Sequence, residues 1–589
     1  MIARMKRSVP PRPALRRPPQ RAQYPQVEPG ALALAHRALA PCRGELSVAE
    51  GLRLLQRTRA RLLVVGERDR VGVVRLEDLK RAHGIGLSER PVRDLAWRGV
   101  PMVAGAAPEL RVRRLLRGGA PVVLIRDRHG VVAAVEPSQL PGAQPLLSLA
   151  GRLDRQCSGE TRELFDSIAK LAQSLGVRAY LAGGFVRDLL RGVASRDLDV
   201  VVEGDPLELA RRLCRQVGGN LVVHRAFVTA SIEGWSGGQL DVVMARRERY
   251  ATPGALPIVS PASIEEDLAR RDFTINAMAV GLVGPEFGRF LDPFGGVRDV
   301  EVRRIRILHP LSFVEDPTRI FRAVRYAARL GFGIDRWSRD CLGVALRLAP
   351  YPALSGQRLL AEIELVMREP GWERSLRTLA RVGAFRLLDP SYRFSRLAEA
   401  RLRDLTHLLE GDRAARGMIE PVPLALLCLV GHLPRAVAER ALRRLALSGE
   451  PLARLTEALA EGPLVARRLE EEASAPASRR AALLRSRSIE TLGYAWLAGS
   501  LSARARIRWF LSEGRNVRAA LSGEELLALG VPRGPAVSKL LDRLRDERLD
   551  GLLASREDEV RRVGEWKTRA GQGTPGDRGG LTWRPSSSS

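Results

Sequence analysis

The sequence predicts a multidomain protein: a small α+β unit in two copies, then an α/β head, then an all-α neck, body and tail. Three observations lead there. The 589 residues exceed one compact domain at about 100–200 residues per domain. Apolar runs of strand length alternate with helical ones from about residue 155 to about residue 250. Beyond residue 310 the pattern is helical almost throughout, rich in Leu, Ala and Arg, with start signals at Asp316-Pro317 and Ser355.

The first segment, residues 1–44, sets Pro10, Pro11, Pro13, Pro18 and Pro19 among arginines. Such a composition cannot bury enough apolar surface to offset chain entropy, so a disordered basic arm is expected. Residues 45–145 hold a weak internal repeat. In the first copy a helix opens at Glu45-Leu46-Ser47-Val48, followed by Leu62-Leu63-Val64-Val65, a turn at Asp69-Arg70, and Val71-Gly72-Val73-Val74. In the second a helix opens at Glu109-Leu110-Arg111-Val112, followed by Val122-Val123-Leu124-Ile125, a turn at His129-Gly130, and Val131-Val132-Ala133-Ala134.

With Pro91-Val92-Arg93-Asp94-Leu95 between them, the two copies resemble a CBS pair. That resemblance implies an adenine nucleotide between the repeats, with an Asp after the second strand on the ribose. Asp78 stands there in the first copy and Gln139 in the second. A structural module, or one that forms a homodimer, is the other reading.

Residues 155–305 form the predicted head. The strand Arg178–Ala182 runs into Gly183-Gly184 and a helix, a turn that admits close backbone approach and offers free amides to a phosphate. It also serves as a plain tight turn. Arg187 adds a cation one helical turn in. Asp197-Leu198-Asp199 then enters Val200-Val201-Val202. Alternation in a strand turns both carboxylates to one face, where they repel unless a cation lies between them. That geometry suits two-metal nucleotidyl transfer; a solvated strand start is the plainer reading. Asp241, inside Gln239–Met244, is either a third carboxylate of the cluster or a surface acid on an edge strand.

The neck is expected over 306–370, the helical body and tail over 371–565, and a disordered Gly/Pro/Ser-rich tail over 566–589. Asp316 before a proline is a good helix cap. Arg319, Arg322 and Arg325 follow at three-residue spacing, a stripe costly to bury without anions.

Composition narrows the class. A formal net charge of +29 suits a polyanionic partner, because cations that neutralise phosphates release counterions. The cysteines Cys42, Cys157, Cys214, Cys341 and Cys428 show no metal-binding spacing and read as reduced thiols of a cytoplasmic protein. The most apolar stretch, Pro423–Val430, is far too short to span a membrane, and the N-terminus lacks the apolar run of a secretory signal.

Four segments, in order, carry a second resemblance. Gly183-Gly184-Phe185-Val186-Arg187-Asp188 with Asp197-Leu198-Asp199 resembles the first motif of the class II tRNA nucleotidyltransferase and poly(A) polymerase family. Arg270-Arg271-Asp272-Phe273-Thr274-Ile275-Asn276-Ala277-Met278 resembles the second. Asp292-Pro293-Phe294-Gly295-Gly296 with Ile305-Arg306 resembles the third, and Glu315-Asp316-Pro317-Thr318-Arg319 with Arg322 and Arg325 the fourth.

The resemblance implies a head of the polymerase-beta type and template-independent addition of C and/or A from CTP and ATP to a tRNA 3' end. Under it, Asp197 and Asp199 bind Mg2+, and Gly184, Arg187 and Arg271 contact the incoming nucleotide. Asp316 and Arg319 read the base edge: a carboxylate accepts from the amino group shared by cytosine and adenine, and a guanidinium donates to ring acceptors. Arg322 and Arg325 contact the nucleotide or its triphosphate. Arg271 beside a helix-capping Asp272 has a plainer reading as a solvated cation.

His224-Arg225-Ala226-Phe227 stands where poly(A) polymerases of the family carry Gly-Arg-Arg-Phe, which favours tRNA as substrate. The helical half is expected to hold the tRNA through phosphate contacts and shape. Two other readings remain: a poly(A) polymerase acting on general RNA ends, and a non-catalytic CBS-linked RNA-binding sensor.

Overall fold

The computed structural model describes residues 31, 35, 39–66, 71–117, 119–128, 130–137, 148–157, 159–195, 197–224, 228–235, 238–411 and 419–571. Most of the expected basic arm, the turn positions Asp69, Arg70 and His129, Gln139, the Arg225-Ala226-Phe227 segment and the tail beyond residue 571 lie outside the described residues.

Two units with the same pairing order stand first. In one, β1 (Leu39–Cys42) runs parallel to β2 (Leu62–Val65), which pairs antiparallel with β3 (Gly72–Arg75), and β4 (Trp97–Arg98) closes the edge. Helix α1 (Val48–Thr58) crosses from β1 to β2 behind a capping box of Ser47 and Glu50, and α2 (Leu76–Gly84) follows β3. In the other, β5 (Met102–Ala104) runs parallel to β6 (Val123–Asp127), which is antiparallel to β7 (Gly130–Val135), with α3 (Glu109–Arg117) as the crossover.

Strand β1 lies inside the stretch expected as a disordered arm. Its Ala-Pro-Cys sequence has no period of its own, and it is a strand because Leu62–Val65, twenty residues later, offers it a partner. At the other end the expected boundary at residue 566 also moves, since the last helix runs from Arg556 to Gly571.

The head opens with α4 (Ala150–Gln156) and α5 (Gly159–Ser174). There follow β8 (Arg178–Ala182), α6 (Gly184–Arg191), β9 (Asp197–Glu203), α7 (Pro206–Val217), β10 (Asn220–His224), β11 (Thr229–Trp235) and β12 (Gly238–Met244). A hairpin of β13 (Arg246–Arg249) and β14 (Ile258–Pro261) leads to α8 (Ile264–Ala269), β15 (Ala279–Gly281), β16 (Phe290–Leu291) and α9 (Gly296–Glu301). The seven-stranded sheet runs β10-β11-β12-β9-β8-β15-β16. It thus extends past residue 250, where the sequence pattern stops alternating; β15 and β16 are too short, and β15 too uniformly buried, to show a period of two.

Within this sheet β9 and β12 are parallel neighbours. A parallel pair needs a crossover, here α7, β10 and β11. The acids of β9 and β12, more than forty residues apart, are thereby brought side by side.

The neck contains β17 (Arg304–Ile305), α10 (Ser312–Glu315), α11 (Thr318–Leu330), β18 (Gly333–Ile334), α12 (Arg336–Arg347) and α13 (Gly356–Met367). Among the described residues, helices follow between Trp372 and Gly411 and between Pro421 and Ser512, and three more, between Gly523 and Gly571, enclose a small core around Leu521, Leu526 and Leu544. The head has its own core, whereas the first N-terminal unit shares one with the neck and body. At that seam Trp97 stacks on Trp337 with ring centroids 4.0 Å apart. The five cysteines are free. Among the described residues no helix is long and apolar enough to cross a membrane.

Candidate active site

The site is built outward from the turn between β8 and α6. Gly183 has φ 73°, a conformation that favours glycine, and a Cβ there would lie 2.8 Å from Arg271 Nη1 and 3.0 Å from Asp199 Oδ2. The backbone is threaded between a guanidinium and a carboxylate. Alternation along β9 buries Leu198 and leaves Asp197 exposed and Asp199 partly covered. In the parallel register Asp241 sits directly across from Asp199. Strand β12 lies between β11 and β9, so Asp241 is not on an edge strand.

Burial pushes the Asp199 carboxyl above its ordinary value. Arg271 pulls it back, while Asp241 and Asp197 push it further up. The group is therefore short of positive charge. Among the described residues no three acids, histidines or cysteines converge into a complete metal cage. A cation held by one or two carboxylates and completed by phosphate oxygens is the usual arrangement for magnesium, and this donor set fits it.

Arg271 is fixed from behind. Its Nε and Nη2 donate to Asp267, a fully buried carboxylate, and its Nη1 donates to the Asn276 carbonyl. Asp267 also receives Arg270 Nε. The pair holds despite burial, because the two arginines bring the Asp267 carboxyl below its ordinary value.

A second cluster adjoins through Asn276. Arg187, buried, donates through Nη1 to Asn276 Oδ1 at 2.8 Å and through Nε and Nη2 to Asp188. The Asn276 amide donates to Asp272, whose other oxygen receives Arg322 Nε and Nη2 at 3.0 and 2.8 Å. Asp272 thus closes an ion pair rather than capping an α-helix. Burial alone would raise its carboxyl, but Arg322 and the Asn276 amide bring it below the ordinary range. The Tyr326 ring lies between 5.0 and 5.7 Å from the guanidinium carbons of Arg187, Arg322, Arg325 and Arg329.

Along α11 the arginine stripe drifts by about 60° per three-residue step. Arg319 is buried toward the head, donating to Ser312 Oγ and the Arg270 carbonyl. Arg322 meets Asp272. Arg325, one step further round, faces Glu362 and Glu369 at 3.6–3.9 Å and shares Glu362 with Arg322; no contact to Arg271 or Asp199 is seen among the described residues.

Asp316 accepts from the Thr318 amide and hydroxyl, as a cap would, and from Arg358 Nη2 at 2.8 Å. Asp267, Tyr326, Arg358 and Glu362 are among the site residues that sequence reasoning missed. Arg358 and Glu362 lie on α13, and nothing local in that helix marks them.

The N-terminal units reach this region. Arg81 on α2 donates to both oxygens of buried Glu315, next to Asp316, and lies 3.4 Å from His309 Nε2. Burial, Arg81 and Arg319 hold the His309 imidazole well below its ordinary value, so it is neutral. Arg306 donates to the Gly119 carbonyl in the second unit and to Asp299, which also receives the Thr274 hydroxyl. A cavity of about 1000 Å3 at the same seam is lined by Trp97, Arg114, Asp292 and Arg306, away from the acids of β9.

Comparison with known proteins agrees with this geometry. Residues 179–306 match the Poly A polymerase head domain family. The chain is 34% identical over 425 residues to the A-adding tRNA nucleotidyltransferase of Geobacter sulfurreducens, covering 69% of this chain and 47% of that protein. It is 32% identical over 391 residues to the CC-adding tRNA nucleotidyltransferase of Deinococcus radiodurans, covering 64% of this chain and 87% of that one. The Thermotoga maritima CCA-adding enzyme complexed with tRNA superposes with a TM-score of 0.60 at 28% identity, over 72% of this chain and 99% of that structure. The chain spans 25–52% of the length of the A-adding relatives it matches.

Proposed function

The chain belongs to the tRNA nucleotidyltransferase and poly(A) polymerase family, and on that footing we propose that it adds C and/or A from CTP and ATP to the 3' end of tRNA. The observation that carries the reading is Asp241 in register with Asp199, one strand from the Gly183 turn that Arg271 approaches closely. In this proposal Asp197 and Asp199 hold Mg2+, with Asp241 beside them. The metal supplies charge neutralisation on the triphosphate and activation of the attacking hydroxyl.

The residues of the chain bind and orient. Gly184 and the α6 amides face the phosphates, and Arg187 and Arg271 fix the nucleotide. Asp316 and Arg319 select the base, with Arg322 beside them. Arg325, held by Glu362 and Glu369, serves the same pocket by keeping α11 against α13. The RNA 3'-hydroxyl attacks the α-phosphate and pyrophosphate leaves. The helical body and tail are proposed to hold the tRNA, supported by the tRNA complex of the Thermotoga maritima enzyme.

The N-terminal pair is proposed to be a CBS module, supported by the three-strand arrangement its two units share, a parallel pair followed by an antiparallel one. Asp78 is buried and its oxygens are taken by Arg75 and Trp97 Nε1, which favours a structural part over an adenine-nucleotide site. A homodimer through this module is tested by sedimentation.

Addition of A alone is the specific form favoured, since three relatives at 34–45% identity are A-adding enzymes. The deciding experiment supplies labelled CTP and ATP with magnesium to tRNA transcripts ending before CCA, after C and after CC. Transfer of ATP only to the CC end means A addition; transfer of both nucleotides to the shortest end means complete CCA synthesis. Absence of transfer to every transcript overturns the proposal.

A further inference from the structure

We propose that the cavity where the helical body meets the three C-terminal helices is a phosphate-binding site. It has a volume of about 450 Å3, an apolar floor of Leu484, Leu492 and Phe510, and a wall to which five arginines contribute. The helix Ala477–Arg485 meets the helix Pro535–Leu549 there, between two separate hydrophobic cores.

The wall is short of anions. Arg545 is bound to Asp542 and Asp546, and Arg518 donates to the carbonyls of Arg515 and Val517. Arg487 reaches Glu461 with one nitrogen at 3.3 Å. The nearby acids are thus already engaged. Yet Arg485 Nε and Nη2 and Arg487 Nε are buried with no acceptor. A buried donor without an acceptor loses its hydration for nothing, and here three such donors, from two arginines, gather at one cavity, where an acceptor from outside the fold would satisfy them together.

Burial, together with Arg545 and Arg518, lowers the Arg485 guanidinium from its ordinary value, as happens to a cation crowded by cations. Guanidinium groups converging on an apolar-floored cavity match the tetrahedral, multiply accepting phosphate group. The phosphate is either part of an RNA backbone or free phosphate or pyrophosphate. The first source rests on the proposed function; the second does not.

The test uses the full-length protein, the double variant Arg485→Gln, Arg487→Gln, and Arg485→Lys as a charge-conserving control. Inorganic phosphate is expected to raise the melting temperature of the unmodified protein above that in chloride of equal ionic strength. The Gln variant is expected to lose that shift while melting no lower than the unmodified protein without phosphate, and the Lys variant to keep most of it. If the source is RNA, affinity of the Gln variant for a tRNA transcript falls about 5- to 20-fold, and the log–log salt slope drops by about one. Loss of the phosphate shift with unchanged tRNA affinity assigns the site to free phosphate. An unchanged shift together with unchanged affinity overturns the proposal. Nucleotide transfer at saturating tRNA, measured on the unmodified protein, reports separately on the proposed function.

Discussion

The interior strands β9 and β12 of the head and helix α11 of the neck are both crowded with charge, and they treat it in opposite ways. On β9 and β12, Asp197, Asp199 and Asp241 face one another with Arg271 as the nearby cation, and burial leaves the Asp199 carboxyl above its ordinary value. On α11 every arginine of the stripe has an internal counterpart: Ser312 and the Arg270 carbonyl accept from Arg319 and Asp272 accepts from Arg322, while Arg325 has the carboxylates of Glu362 and Glu369 as ion-pair neighbours at 3.6–3.9 Å. Charge left unbalanced inside a fold invites a charged ligand, whereas charge balanced inside it holds a shape. On the proposed function, the first region is where an ion and a triphosphate would enter, and the second would keep the selecting groups in position.

The largest expected effect breaks the comparison at its acidic end. Asp199→Ala should lower nucleotide transfer by about 10³-fold, the loss of several kcal/mol of metal-borne stabilisation. Its melting temperature should not fall, because a repelling carboxylate has gone. A fall in stability with activity retained would make Asp199 a structural residue.

Next is Arg319→Ala, which should reduce discrimination against UTP and GTP by about 10- to 100-fold in kcat/KM with a smaller loss on the favoured nucleotide. Unchanged discrimination in single-nucleotide incorporation assays would remove it from the selecting pair.

Arg322→Gln tests the balanced end. It strands Asp272 in a buried place and should cost about 2 kcal/mol in urea unfolding. Asp272 has a depressed carboxyl pKa in the fold. Its contribution is therefore fully present above the unfolded carboxylate value and is lost as pH falls through the depressed one. The deficit of the variant should shrink in acid, and a deficit independent of pH would point to lost packing instead.

The smallest effect concerns His309, kept neutral well below its ordinary value of 6.5. The unfolded chain takes up a proton below that pH and the fold does not, so stability falls as pH drops below 6.5. His309→Gln should flatten that fall by at most about 1.4 kcal/mol per pH unit. Equal slopes between pH 7.5 and 5.5 would mean the imidazole is not held neutral.

Much of the head was legible because its chemistry is local. Asp197 and Asp199 share a face by strand alternation, and Gly183 precedes a helix that any reader of glycine and helix termini expects. The second repeat of the N-terminal pair is visible for the same reason, two β-branched runs around a turn. Strand β1 was not, because Leu39–Cys42 has no pattern and exists through its partner. For Asp272 the neighbours in sequence suggest only a cap as the plainer alternative, while its partner is Arg322, fifty residues on.

By itself the sequence determined which residue types stand together on each element: the paired acids of β9, the glycine turn, the arginine stripe of α11 and the overall positive charge. Those follow from periods of two and 3.6 residues and from backbone preferences that act over a few positions. Only the tertiary structure decided which charges are balanced. The parallel register sets Asp241 against Asp199, and α13 brings Arg358 to Asp316 and Glu362 to Arg325. The N-terminal pair likewise brings Arg81 to Glu315. Ion pairing depends on distance and burial in space, and neither is a function of separation along the chain.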